Sequence, residues 1–561
     1  MLFYRGINML ILTIVLALFA GPAVAGETAY RHDLQIPPPG ELGPAVYMQD
    51  SVLPLGPPDN PQVGDSWIWW LFTWYPMPPH FEQHECTVRG MTDRGYVVVK
   101  DEDWLVNIDQ ADVDSILEHW EFSSVGPYPD QGIYEIDSLS FGDPPDELDD
   151  DLRIYLMWYD FNVNADGFFF FFDMYPDGTY PEYQSNECEV LYLNPTSSGG
   201  ASGDYMHGVI AHEFQHMIHW KYDDNELSWV NEGMSELAMW FYGHPDNISS
   251  FNGNPDNNLT VWDGNWADYI KTYLWSLYFF EQYGGHTTVY ALVHEPLNSM
   301  AGFDAVLDDF GYPENTEDIF IDWAVANYLD DTTIADGQYG YIGDEMPAFW
   351  LAGTYSSYPV DATKAVNHWA TDYYCFQDIP FAYLELAFDG ADDNLYAIRV
   401  LVIHETNPTE VFDLNLEEAS QSGSVVMNDI VSSDEVILVV TSVSSTGGPT
   451  YNFTAGEALG IGTDPVQPGE PLTMVPSMNP FNSTVNLQLN WSLAVGDPTV
   501  DIFDIQGRIV NSLSADEVSA GSASIQWNGE FQSGNQANAG IYYVRARVGL
   551  EESTVKLMLL P

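Results

Sequence analysis

The sequence predicts a multidomain α+β protein, a mixed helix-and-strand region followed by β-sandwich-type domains, on three observations. Apolar residues at helical spacing are concentrated before residue 330 and are interleaved with strand-sized runs. From about residue 340 the apolar runs are alternating or continuous over strand length, with turns between them. A Gly/Pro/Thr-rich stretch over 455–471 then sets off a last β-rich segment. The length of 561 residues is enough for three or four domains at roughly 100–200 residues each.

Taken in order, residues 1–25 have the make-up of a secretory signal peptide: Arg5 in the leader, an apolar run over 9–20, and the small-residue cleavage motif Ala23-Val24-Ala25. Residues 26–64, with Pro37-Pro38-Pro39 and Pro57-Pro58, read as a Pro/Gly-rich linker or pro-segment arm. A first folded region is expected over 65–335, opening with a β-rich subdomain in which Tyr96-Val97-Val98-Val99 is a strand. Within it the spacing predicts helices over 113–119, 204–221, 230–242, 266–283 and 315–329, and strands over 153–159 and 189–193. A β-rich accessory domain over 336–465 carries strands at 382–388, 395–403 and 436–442. Residues 472–561 show strand runs at 484–489, 499–503, 523–527, 541–546 and 553–559, spaced by turns such as Gln506-Gly507 and Asn528-Gly529, as in a small β-sandwich.

Composition removes several classes of function. With 84 Asp and Glu against 14 Lys and Arg, the formal net charge is −70, and only Arg153, Lys221, Lys271, Lys364 and Arg399 are basic between Asp101 and Val400. Nucleic acid and anionic membrane surfaces require clustered cations that this chain does not have. Disorder is excluded as well, because 45% of residues are hydrophobic and 14% aromatic. After the leader no stretch reaches the ~18 apolar residues of a membrane span. Cys86, Cys188 and Cys375 are too widely spaced for a CxxC metal motif and allow one disulfide at most.

One motif carries sharp chemistry. In His212-Glu213-Phe214-Gln215-His216, residues four apart share a helix face, so His212 and His216 can present two imidazoles to one metal with Glu213 beside them. Zinc is the expected ion, and a carboxylate next to it can take the proton of an attacking water. Glu232 follows 16 residues after His216 and is the expected third ligand, while Glu236, one turn on, is placed to orient a ligand imidazole. His219 is a rival third ligand. It lies about 10.5 Å along the axis from His212, too far for both to reach one ion with bonds of about 2 Å.

The segments HEFQHMIHW and WVNEGMSELA resemble the gluzincin metallopeptidases, and in wording most resemble the hyicolysin-type family of secreted bacterial zinc peptidases. Ser185-Asn186-Glu187, Val190-Leu191-Tyr192-Leu193-Asn194 and the stretch from Tyr269 to Gly285 extend the resemblance to roughly residues 65–335. It implies a zincin-like metallopeptidase domain in which His212, His216 and Glu232 hold zinc and Glu213 is the general base. Thermolysin and aminopeptidase patterns have a few more residues between the second His and the Glu. The resemblance also points to Tyr269 as the group that stabilises the oxyanion, with Tyr273 and His286 as alternatives.

Asn162-Val163-Asn164-Ala165-Asp166-Gly167, with Asp173 in twelfth position, echoes a calcium loop, a plain Asn/Asp/Gly turn being the other reading. At the C-terminus, Asn479-Pro480-Phe481, the run from Val500 to Arg508, Ala539-Gly540-Ile541-Tyr542-Tyr543 and Lys556-Leu557-Met558 resemble the type A sorting domain of type IX secretion, itself similar to the Ig-like domain of a flagellar hook-cap protein. That implies passage through the periplasm of a two-membrane bacterium, contact with the secretion machinery, and release or surface attachment. The expectation is a secreted zinc metalloendopeptidase acting on extracellular proteins and peptides, without nucleic acid partners or a membrane span in the mature chain. The alternative is a catalytically inactive peptidase-fold adhesin or binding protein.

Overall fold

A computed structural model describes residues 37–48, 53–146, 148, 151–405 and 407–458, and from the C-terminal part 473–476, 481–482, 484–490, 498–503, 508–514, 517–519, 522–532, 536–548 and 551–560. The expected signal peptide and the 459–472 boundary stretch lie outside the described residues. The chain forms two compact units, Met1–Ala458 and Leu459–Pro561, and combines helices with many strands.

The first unit opens with β1 (Ser66–Thr73), β2 (His80–Met91) and β3 (Gly95–Lys100), then α1 (Gln110–Glu121), α2 (Ile133–Phe141), β4 (Ile154–Trp158), β5 (Gly167–Phe169) and β6 (Val190–Leu193). These strands make one sheet of order β1-β2-β3-β4-β6-β5, parallel at β3/β4 and β4/β6 and antiparallel elsewhere. Both faces are covered, which is why its central strands read as continuous apolar runs. Val97, Val99, Leu156, Trp158, Leu191 and Leu193 face the helices. Their neighbours Tyr96, Val98, Tyr155, Met157, Val190 and Tyr192 join an aromatic cluster with Trp67, Trp69 and Phe168. All three cysteines are buried.

The helices continue with α3 (Asp204–Tyr222), α4 (Ser228–Tyr242), α5 (Trp266–Gln282), α6 (His286–Val293), α7 (Met300–Phe310) and α8 (Thr316–Leu329). Three begin at reciprocal caps. Asp109 with Asp112, Asn265 with Asp268, and Asn315 with Asp318 each exchange side-chain and backbone hydrogen bonds. Each such cap satisfies orphan N–H groups and is worth about 1 kcal/mol. α2 starts at Gly132 with no side-chain cap, so the sequence offers no start signal there. Helix α3 is buried almost all round, the pattern of a central helix, and packs on α4.

Next come β7 (Gly353–Tyr355), β8 (Val360–Ala365), β9 (Ala370–Phe376), β10 (Leu384–Gly390), β11 (Tyr396–Ile403), β12 (Glu410–Asp413), β13 (Ser422–Met427), β14 (Glu435–Ser442) and β15 (Thr450–Glu457). They form a sandwich of a four-stranded sheet, β13-β10-β15-β8, and a five-stranded one, β12-β11-β14-β9-β7. On β14, Val436, Leu438 and Val440 point into the sandwich, whereas Ile437 and Val439 join the core of the helical region. On β9, Tyr373 packs the same way as Ile437, and its hydroxyl donates to Ala324 O of α8 at 2.7 Å. The five-stranded sheet therefore has two buried faces, and the sandwich shares one compact unit with the helices. Each fully buried large aliphatic side chain in these layers contributes about 1.5–3 kcal/mol.

The second unit is a smaller sandwich of β16 (Thr473–Pro476), β17 (Val485–Asn490), β18 (Thr499–Phe503), β19 (Ile509–Ser514), β20 (Glu517–Ser519), β21 (Ser522–Trp527), β22 (Gly540–Val548) and β23 (Glu551–Leu559), in sheets β16-β17-β21-β20 and β19-β18-β22-β23. Alternate residues Val485, Leu487 and Leu489 face Val544, Ala546 and Val548 in one core, the period-2 pattern legible in the sequence.

Candidate metal centre

Helices α3 and α4 bring three donors together. His212 Nε2 and His216 Nε2 lie 3.4 and 3.7 Å from Glu232 Oε2, and one donor atom from each of the three residues falls within 4.8 Å of the others. A tetrahedral ion with bonds of about 2 Å separates its donors by roughly 3.3 Å, so the spacing fits. Ring orientation fits too. The two imidazoles are inclined at 82°, so their in-plane lone pairs can converge on one point. Helix α5 approaches α4 closely just beyond Glu232, because a Cβ on Gly233 would stand 2.5 Å from Ser276 Oγ and 2.9 Å from Thr272 O. That is the physical content of the Asn-Glu-Gly motif.

Groups behind the imidazoles fix which nitrogen faces Glu232. Glu236 Oε1 lies 3.4 Å from His212 Nδ1, both side chains being fully buried. His216 Nδ1 donates to Asn231 Oδ1 and has Ser235 Oγ at 3.0 Å. Ser235 in turn donates to Gln215 Oε1, and Gln215 Nε2 donates to His219 Nδ1 at 3.3 Å. His219 is thus held away from the donor cluster, and burial with His216 nearby pushes its pKa down to about 3, keeping the ring neutral. Glu236 was legible from its spacing. Asn231, Ser235 and Gln215 were not assigned from the sequence, although positions −1 and +3 from Glu232 on a helix are those that can look across at His216.

Glu213 is 2% exposed and abuts β5, where a Cβ on Gly167 would lie 3.0 Å from Glu213 Cγ and 3.2 Å from its Oε1. Glu213, His216 and Glu232 line a cleft of about 260 Å³ with Phe168, Phe169 and Trp220. Tyr269 is not among the residues lining it. Its ring packs edge-on against Trp262 at 4.7 Å and tilted on Trp266. Tyr273 donates to Asp344, and His286 is tied to Tyr128 Oη at 2.6 Å and Ser140 Oγ at 2.9 Å. Neither alternative reaches the cleft.

The 162–173 stretch is not arranged as a calcium loop. Gly167 begins β5, Asp166 accepts from Tyr205 Oη at 2.7 Å, and Asn194 Nδ2 donates to Ala165 O. Asp173 is fully buried, accepts from Asn186 N at 2.6 Å and Tyr192 Oη at 2.8 Å, and is raised by burial to about 7.

A second group of donor type, His119, Asp204 and His207, differs in geometry. Its imidazoles stack at 4.4 Å and 22°, so their in-plane lone pairs run side by side and do not converge. Both Nδ1 atoms lie 3.1 Å from Tyr242 Oη, which makes this a hydrogen-bonded knot around a phenol.

Comparison with known proteins adds information on the second unit. Residues 477–549 match the FlgD Ig-like domain family. No curated protein matches the chain. Similar solved structures include CopC from Methylosinus trichosporium OB3b, at 17% identity over 16% of this chain and 94% of that one, with a TM-score of 0.13. Dimeric latent PorU from Porphyromonas gingivalis is 16% identical over 36% of this chain, with a TM-score of 0.16. The match spans a fifth of PorU's own length, 20%. PorZ, a surface component of the type-IX secretion system of the same organism, is 13% identical over 29% of this chain and 22% of its own, with a TM-score of 0.13. At such scores these likenesses carry no argument about fold or activity. Among the described residues no helix is long and apolar enough to cross a membrane.

Proposed function

We propose that the chain is a secreted zinc-dependent metalloendopeptidase of the gluzincin type, with His212, His216 and Glu232 holding the metal and Glu213 as general base. The observation that carries this reading is the convergence of two imidazoles at 82° and one carboxylate, with a further buried carboxylate beside them, at the edge of an open cleft. A zinc ion bound there supplies Lewis acidity and brings the pKa of water towards neutrality. Glu213 takes the proton of the attacking water and passes it to the leaving amine. Glu236 and Asn231 hold the two rings with Nε2 forward. Strand β5 ends the sheet and lies against Glu213, which suits an extended peptide added as a further strand.

The resemblance of the second unit to a type IX sorting domain, supported by the Ig-like match, completes the proposal: export through the periplasm to the medium or cell surface. Casein or gelatin hydrolysis should vanish on treatment with 1,10-phenanthroline and return with added Zn²⁺. Hydrolysis that survives complete removal of metal, or none in the zinc-loaded protein, refutes the reading and favours a binding protein on this fold.

A further inference from the structure

The far wall of the same cleft is built by the turn between α3 and α4. Asp223, the C-cap of α3, lines the cleft at 4% exposure. Its Oδ1 accepts from Asn225 Nδ2 at 2.9 Å, while Oδ2 is buried with no hydrogen-bond partner. Burial, with Asp224 and Glu295 nearby, raises this carboxyl above its ordinary range, a cost that a cation in the cleft would offset. Asp224 is exposed beside it. The 19-residue helix α3 also ends here, and its unpaired carbonyls add negative potential at that end.

Among the described residues no Lys or Arg forms an ion pair with Asp223 or Asp224. Lys221 is the only Lys or Arg between Arg153 and Lys271, and its Nζ donates to Asp143 O and Pro144 O, at 3.2 and 2.9 Å. Phe171 and Trp220 line the cleft as apolar walls, the surface against which the methylenes of a long basic side chain pack while its head reaches a carboxylate.

We infer that this recess is a side-chain subsite for Lys or Arg of a peptide substrate, with Asp223 and Asp224 receiving the cation and Trp220 and Phe171 flanking its stem. The inference rests on the peptidase reading and names the substrate class of the same cleft. It is specific to two carboxylates, beyond the general pull of an acidic chain on basic peptides.

The test is fluorescence anisotropy on the full chain carrying Glu213→Gln, with zinc bound, using three labelled peptides identical except for a central Arg, citrulline or Glu. Citrulline keeps the shape of Arg without its charge. The Arg peptide should bind about tenfold more tightly than the citrulline peptide, and the Glu peptide most weakly. Adding Asp223→Asn should bring the Arg-to-citrulline ratio to within about twofold, and Asp224→Asn, at an exposed position, should lower it by about threefold even if the Asp223 variant fails to fold. Equal binding of Arg and citrulline peptides, or a ratio untouched by both substitutions, overturns the subsite. So does a ratio erased by millimolar Ca²⁺ as completely as by Asp223→Asn, which assigns the turn to a metal ion instead. Casein cleavage by the unsubstituted chain without preference for Lys or Arg removes the subsite and leaves the peptidase. Arg-selective binding by a chain that cleaves nothing keeps the subsite and removes the peptidase.

Discussion

Replacing Glu236 by Ala removes the carboxylate that lies 3.4 Å behind His212 Nδ1, where both groups are fully buried. Two full opposite charges at that distance attract by about 5 kcal/mol at an effective interior dielectric of about 20. This is a ceiling, because the imidazole carries only part of a charge when it ligates a metal, and because losing the carboxylate also relieves its own desolvation. Groups behind ligand imidazoles typically change metal affinity about 10- to 100-fold, or about 1.4–2.7 kcal/mol, which sits well inside that ceiling. The Ala variant should therefore bind zinc about 10- to 100-fold more weakly in competition with a chromophoric chelator. Glu236→Gln, which keeps an acceptor oxygen but not the charge, should fall between the two. Thermal melting of the metal-free forms, run in parallel, separates loss of affinity from loss of fold. Zinc affinity equal to wild type in both variants would refute the claim that this carboxylate orients His212.

Three further outcomes follow from the same geometry. Asn231→Ala removes the acceptor of the His216 Nδ1 proton and should weaken zinc binding about tenfold by the same chelator competition. Gly167→Ala places a methyl group 3.0 Å from Glu213 Cγ, so turnover should fall about three- to tenfold while zinc content, measured by elemental analysis, stays unchanged. Asp137 is fully buried with both oxygens lacking hydrogen-bond partners, and burial raises its folded pKa, so its contribution to stability is complete at low pH and is lost as pH rises through that raised value. Asp137→Asn should accordingly gain on wild type by about 1.4 kcal/mol per pH unit from about pH 4 up to that raised folded pKa, and no further above it, as seen in urea unfolding at a series of pH values. A gap that does not vary with pH contradicts it.

Much of the candidate metal centre was legible because helical periodicity is a local rule. His212 and His216 at four-residue spacing must share a face, and Glu232 and Glu236 share one on the next helix, so only the packing of α3 on α4 was left to the fold. What surrounds the centre depends on contacts distant in sequence. In the aromatic run after Gly167 only Gly167–Phe169 pairs as a strand, and Phe171–Met174 winds into a 3-10 turn that brings Phe171 to the cleft. Tyr269 was placed by resemblance, and its packing against Trp262 and Trp266 is set by tertiary contacts that no spacing rule reports. In the same way the run Val436 to Val440 announces a strand buried on both faces, but not that one face meets the sister sheet and the other the helical core.

The central claim, a metal on His212, His216 and Glu232 with Glu213 as the proton acceptor, is tested most directly by Glu213→Gln, assayed for metal content and casein hydrolysis in one preparation. The account predicts zinc bound at the wild-type ratio with hydrolysis reduced by about 10²- to 10⁴-fold, the usual worth of a general base. A variant that cleaves casein as fast as wild type, or a wild-type chain that retains no zinc after purification in zinc-containing buffer, contradicts it.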